Sequence, residues 1–268
     1  MQTIKYDRTR ELRQRAFLLS MLVRRNIKNQ YYRSFIGVLW TVLNPLLNML
    51  VMAFVFSMIF GRQGMEIDYS VYILSGNIIF GVMRSSTSGS LPCLVNQRDM
   101  LQKTKVSIAL FPTANVLSSL VTFGFSFIAL IIVMFVRWLA GAYTFCWETL
   151  LILTTLPALT LFSLGISYFL STLYVFFRDI KHIYSVILTL WTYLTPLFYT
   201  VSALKNPAVS KFMVFNPMFH YVETFRDMLA GRIPTGVEYL FCYGFAFLSL
   251  AIGWLFLRAV KNKIAAQL

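Results

Sequence analysis

The sequence predicts an all-α integral membrane protein of six transmembrane helices. An amphipathic interfacial helix is expected ahead of them. Three observations predict this. The 268 residues are 58% hydrophobic and only 13% charged, against roughly 45–50% and about 25% in a soluble domain, so polar surface is too scarce to cover a core. Apolar runs of about 20 residues, the length that crosses a bilayer, recur along the chain. The cations sit between these runs. The net charge of +14 is therefore not the footprint of a nucleic-acid binder, which would carry its charge on a soluble fold, and no nucleic-acid partner is expected.

The elements follow in order. Residues 1–34 form a basic amphipathic segment on the cytoplasmic side. On a helix, Leu12, Ala16, Leu19, Val23 and Ile27 fall on one stripe, with Arg10, Arg13, Arg24, Arg25 and Lys28 roughly opposite, the pattern of a helix lying in the membrane interface. Phe17 and Met21 interrupt the polar side. Spans are expected at 35–60, 69–91, 108–136, 149–177, 183–201 and 239–257, with a basic tail at 258–268. The apolar stretch at 16–23 is short and lacks a small-residue cleavage site, so no cleavable leader is expected. Cys93, Cys146 and Cys242 form no CxxC pair and imply neither a disulfide framework nor a zinc site.

Charge sets the orientation. With both termini in the cytoplasm, seventeen of the 24 Lys and Arg residues fall on inner segments and six on outer ones, as the bias of Lys and Arg toward cytoplasmic loops requires. Arg84 is the one cation placed inside a span. A buried arginine costs several kcal/mol unless paired or hydrated, and Arg84 is near enough to the inner end to snorkel. The surrounding run "MRSSTSGS", Met83 to Ser90, is the most hydrophilic stretch within a span. It suits either a polar path or close helix packing.

Several chemistries are disfavoured. There is no GxxxxGK[ST] stretch and no Gly-Lys dipeptide, so no phosphate-cradling ATP loop is expected in this chain. No HExxH, GxSxG or intramembrane carboxylate pair supports a hydrolase. No Asp or Glu falls within an expected span, which weakens an ion-driven secondary carrier. A transferase acting on lipid-linked sugars lacks an acid or metal cluster. If the chain moves a substrate, another chain supplies the energy.

The basic lead into "YYRSFIGVLWTVLNPLLNML", the short "FFRDIKHI" turn, "YLTPLFYT" and "FNPMFHYVETFRDMLAGRIP" occur in an order and spacing that resemble the membrane subunits of polysaccharide-exporting ABC transporters. These are type-2 exporter permeases for O-antigen, capsule or teichoic acid. The nearest alternative is a drug or small-lipid exporter of the same superfamily. The resemblance implies a homodimer in the bacterial cytoplasmic (inner) membrane, with two copies of a separate ABC ATPase beneath it binding ATP and magnesium; this chain itself binds no cofactor and no metal. It implies a coupling helix at about 95–107, with Arg98, Asp99, Lys103 and Lys105 as contacts, and a second inner contact at Arg178, Asp179 and Lys181. Asn96 suits the cap of the coupling helix.

The resemblance also implies short re-entrant helices between spans five and six, serving as external gate helices within about 202–231. Asn206-Pro207 and Asn216-Pro217 are start signals there, and Gly231 is a stop. Asn216, Pro217, Glu223, Arg226 and Asp227 are the gate candidates, the last three spaced to pair along a helix. For a lipid-linked polysaccharide, Arg84, Ser85, Ser88, Tyr31 and Tyr32 are the channel candidates. Arg24, Arg25, Lys28 and Arg33 would guide an anionic headgroup at the entrance, because the guanidinium fork donates two hydrogen bonds to phosphate. Asn44-Pro45 and Thr195-Pro196 are expected to let spans one and five bend where the paired copies open.

Overall fold

A computed structural model describes residues 8–31, 37, 39–60, 67–103, 106–201 and 213–267. They form helices and turns, with no strand among the described residues. The helices are α1 (Arg8–Tyr31), α2 (Leu39–Phe60), α3 (Tyr69–Ser90), α4 (Cys93–Asn96), α5 (Arg98–Lys103), α6 (Leu110–Leu139), α7 (Ile152–Phe176), α8 (Ile180–Leu194), α9 (Pro217–Leu229) and α10 (Gly236–Gln267); a 3-10 turn, Trp147–Leu151, leads into α7. Among the described residues, three segments are long and apolar enough to cross a membrane: Leu110–Leu139, Trp147–Phe176 and Gly236–Ile264. The Leu39–Val55 part of α2 is a shorter apolar helix.

The core is built around α3, whose length from Tyr69 to Thr87 is mostly buried. Its N-terminus is fixed by Asp68, which accepts a hydrogen bond from the Ser70 amide at 3.0 Å. Helix α6 packs along α3, and α7 and α10 form the largest helix pair among the described residues. That pair crosses at two glycines. A side chain at Gly165 would strike the backbone of Ser249, and one at Gly253 would strike the carbonyl of Gly165. Small residues let membrane helices approach this closely, and the Ser249 hydroxyl bridges the gap by donating to the Phe162 carbonyl at 3.0 Å.

One end of the bundle gathers α1, α4, α5, the foot of α7 and the last turns of α10. Leu22, Cys93, Leu94, Ile108, Phe111, Ala114 and Ile264 form an apolar cluster there, with Leu19, Val23, Met100, Leu101, Phe176 and Val260 around it. The basic segments at both chain ends thus meet at the same end of the molecule. Of the stripe expected on α1, Leu19 and Val23 pack, joined by Leu22, whereas Leu12 and Ala16 stay exposed. The later turns of α1 thus dock on the protein cluster. Asn26 reaches across to Asn115 at 3.0 Å, and the Arg25 guanidinium donates to Gln97 Oε1 at 3.0 Å.

Three local expectations change. The segment expected as one coupling helix is two short ones. Asn96 ends α4 instead of capping the helix that follows, and the Gln97 carbonyl accepts the Leu101 amide to start α5. Helix α8 spans 15 residues and stops at Leu194, because the residue before Pro196 is pushed out of helical conformation; Pro196 therefore lies beyond the helix and is no bend within it. Pro45 does lie inside α2. A proline there leaves the Thr41 carbonyl without its helical donor, and the Ser126 hydroxyl of α6 supplies one at 3.4 Å. The proline is a pinning point between two helices.

Candidate functional site: a polar cavity and its outer rim

A cavity of about 940 Å³ lies between α2, α3, α6 and α8. Each helix contributes polar residues at helical spacing. Helix α2 presents Thr41, Asn44 and Asn48; α3 presents Asn77, Arg84, Ser85 and Ser88; α6 presents Ser119, Thr122 and Ser126; α8 presents Ser185, Thr189 and Thr192. Positions separated by three, four and seven residues share a face, so four otherwise apolar helices turn amides and hydroxyls toward one space. Such a lining hydrogen-bonds hydroxyl-rich or anionic ligands.

Arg84 is the one charged side chain among the described residues of the lining. Its NH2 group donates to Thr192 Oγ1 at 2.5 Å, and the guanidinium lies over the Phe80 ring, 5.2 Å from its centre. The side chain thus bridges α3 and α8 while remaining exposed to the cavity. The run "MRSSTSGS" divides by helix face. Arg84, Ser85 and Ser88 line the cavity, whereas Ser86, Thr87 and Ser90 are buried between helices. Thr87 accepts from the Tyr184 hydroxyl at 2.6 Å, and the Ser167 hydroxyl donates to the Ser86 carbonyl at 3.4 Å. The run is thus divided, residue by residue, between cavity lining and helix packing. The three stripes on α2, α6 and α8 were missed, although polar residues at three-to-four spacing inside apolar runs would have revealed them.

At the basic end, Arg24, Arg25 and Lys28 are exposed on α1, and Arg98, Asp99 and Lys103 are exposed on α5. Arg178, Asp179 and Lys181 are exposed at the turn between α7 and α8. Tyr32, Arg33, Lys105, the Tyr31 side chain and the helix expected near Asn206-Pro207 lie outside the described residues.

The other end closes with α9. Asn216 caps it by accepting from the Met218 amide at 3.1 Å, Pro217 takes the first position, and Gly231 follows the end with φ 77°. Asn216 also accepts from Trp191 Nε1 at 2.8 Å and donates to Thr195 Oγ1 at 3.0 Å. Tyr143, in the loop after α6, donates to the Leu229 carbonyl at 2.9 Å, and burial pushes its hydroxyl pKa up to about 12. Of the three charges expected to pair on α9, Glu223 and Arg226 do so at 2.8 Å, while Asp227 faces Arg232 at 3.8 Å. Arg226, expected on an outer segment, is buried.

The fold and cavity can be set beside known proteins. An O-antigen export system permease protein, RfbA, of Myxococcus xanthus is 31% identical over 227 residues, covering 84% of this chain and 85% of that one. An RfbA of Klebsiella pneumoniae with the same description is 26% identical over 211 residues, 79% of each chain. The polysialic acid transport protein KpsM of Escherichia coli is 22% identical over 231 residues, 85% of this chain and 88% of that one. The membrane-family profile described as ABC-2 type transporter matches residues 18–230. The match runs from the basic foot of α1 through the cavity helices to the end of α9, so this chain belongs to the ABC-2 type transporter membrane family.

Proposed function

We propose that this chain is the transmembrane subunit of an ATP-driven exporter of a cell-surface polysaccharide of the O-antigen, capsule or teichoic-acid type, carried on a lipid. The observation that carries this reading is the cavity. Four helices of an ABC-2 family member turn amides and hydroxyls, plus one arginine, toward a common space. Sugar hydroxyls find both donors and acceptors there, and Arg84 offers a planar fork to a phosphate or acidic sugar. The absence of a carboxylate among the described lining residues fits energy supplied from outside the chain. The relatives named for O-antigen export and polysialic acid transport support the same class of cargo.

In this reading six spans cross the inner membrane, and the basic end faces the cytoplasm. A separate ATPase, binding ATP and magnesium, docks on Arg98, Asp99, Lys103 and Lys105 and on the turn at Arg178, Asp179 and Lys181. The basic residues of α1, with Arg33 beyond it, attract the anionic headgroup. Tyr31 and Tyr32 stack on sugar faces, α9 and the residues before it form the external gate, and two copies of the chain complete the path.

Depletion of the chain in its host is expected to remove the polysaccharide from the cell surface and accumulate lipid-linked polymer on the inner side. Wild-type chain restores export; Arg84→Ala restores roughly a tenth or less, the effect of losing one charged hydrogen-bonding group. Normal surface polymer in depleted cells would overturn the functional reading, and full restoration by Arg84→Ala would remove the role of that arginine.

A further inference from the structure

Arg226 occupies an unusual position for a cation. It is 3% exposed, and its carboxylate partner, Glu223, meets only one of its nitrogens. The remaining contacts are backbone carbonyls. NH1 donates to Pro196 O at 2.8 Å, and NH2 donates to Leu197 O and Tyr72 O, both at 3.1 Å. The guanidinium carbon lies over the Tyr72 ring, 3.4 Å from its centre. Space for it exists because residue 76 is glycine; a Cβ there would come within 2.7 Å of NH2.

Pro196 and Leu197 belong to the turn that follows α8. The same turn is held from α3 by Tyr69, whose hydroxyl donates to Phe198 O at 3.2 Å, and by Tyr72, whose hydroxyl donates to Tyr199 O at 2.8 Å. The outer end of α8 is thus held by backbone bonds from two other helices. Its body meets α3 through side chains only, Tyr184 donating to Thr87 and Thr192 accepting from Arg84; Tyr184 and Leu188 are its buried residues, while Ile183, Val186, Leu190 and Tyr193 stand exposed. One side of that body is a wall of the cavity.

We propose that the turn at residues 195–199, closed by Arg226, is a fixed pivot about which α8 swings to widen and narrow the cavity during transport. Arg226 is a positioning residue. It touches no cargo and acts by holding the outer end of α8 while the inner end moves. The pivot rests on the exporter reading for its purpose, but its geometry is testable without cargo.

The test combines export with labelling, using the full transporter reconstituted with its ATPase in a Cys146→Ser background. Thiol reagent is applied to Ser185→Cys, toward the inner end of α8, and to Tyr193→Cys, at its outer end. The expected result is a labelling rate at residue 185 that changes several-fold between nucleotide-free and nucleotide-trapped states, with little change at residue 193. Arg226→Lys has a compact ammonium in place of the fork and cannot span the three carbonyls and the ring. It should make residue 193 nucleotide-sensitive and lower polymer exported per ATP hydrolysed by roughly ten-fold, the loss of about one charged hydrogen bond.

Gly76→Ala is the second variant. Alanine favours the helix itself, so an export loss there arises from displacing the guanidinium, and the Gly76→Ala/Arg226→Lys pair should be scarcely worse than either single change. Equal nucleotide sensitivity at residues 185 and 193 in the unaltered background, or normal coupling in both variants, overturns the pivot. If the wild-type protein exports no polysaccharide, the functional reading fails, while the labelling contrast still decides the pivot.

Discussion

Asp68 serves two partners with one carboxylate. Oδ1 caps α3 through the Ser70 amide, and Oδ2 accepts from Arg137 at 2.6 Å. The two contributions separate by substitution. Asn at position 68 keeps a cap oxygen and loses the charge, and because Arg137 is about one-third exposed the lost pair should cost only about 0.5–1 kcal/mol. Ala loses both and should cost about 1 kcal/mol more, the usual effect of removing an N-cap. Thermal unfolding in detergent should therefore rank wild type above Asp68→Asn above Asp68→Ala. Equal midpoints for the two variants would mean that the cap contributes nothing. The cap was missed because Asp68 sits in a polar turn among other polar residues. Asn216-Pro217 and Gly231 were legible because each is a local backbone signal that does not depend on a distant partner.

At the scale of elements, helix type and approximate position follow from apolar run length, and α3, α6 and α7 fall within a few residues of expectation. Helix α8 ends seven residues early because a proline rule outweighed hydropathy: 195–200 is largely apolar yet not helical. The crossing of α7 and α10 escaped notice because its signal is small residues, not greasy ones. "SLGIS" at 163–167 and "SLAIG" at 249–253 place Ser249 and Gly253 one turn apart, opposite Gly165. At this crossing backbone faces backbone, and no flexible side chain can yield. Gly165→Ala and Gly253→Ala should each destabilise by about 3 kcal/mol, the upper part of the range for overpacking. A double variant should cost clearly less than the sum, since either methyl already forces the helices apart. Thermal midpoints of the three variants check this; full additivity would mean that the glycines act at separate contacts.

At the scale of the whole molecule, four basic segments far apart in sequence converge on one end. The bias of charge along the chain made that arrangement legible before any contact was known. Less legible was the cavity, because its walls come from four helices and each wall reads alone as a few tolerated polar residues. The cavity borders helices whose outer faces are strongly apolar: Leu47, Leu50, Val51 and Phe54 on α2, and Val186, Ile187, Leu190 and Leu194 on α8 are all more than 40% exposed.

Lipid can cover such faces, but a second copy placed against α2 and α8 would also enclose the polar cavity between two chains. That arrangement makes a conduit from two half-lined clefts and keeps polar groups from facing hydrocarbon, which is costly. It predicts that Leu190→Cys in a Cys146→Ser background forms a disulfide-linked dimer in membranes on mild oxidation. Leu255→Cys, equally exposed but on the far helix α10, should remain monomeric under the same conditions. Cys93 and Cys242 are buried and should not contribute to the signal. Efficient linkage at residue 255 with none at residue 190 would place the partner on the α7–α10 side and leave the cavity open to lipid. The polar stripes would then need a different partner to complete them.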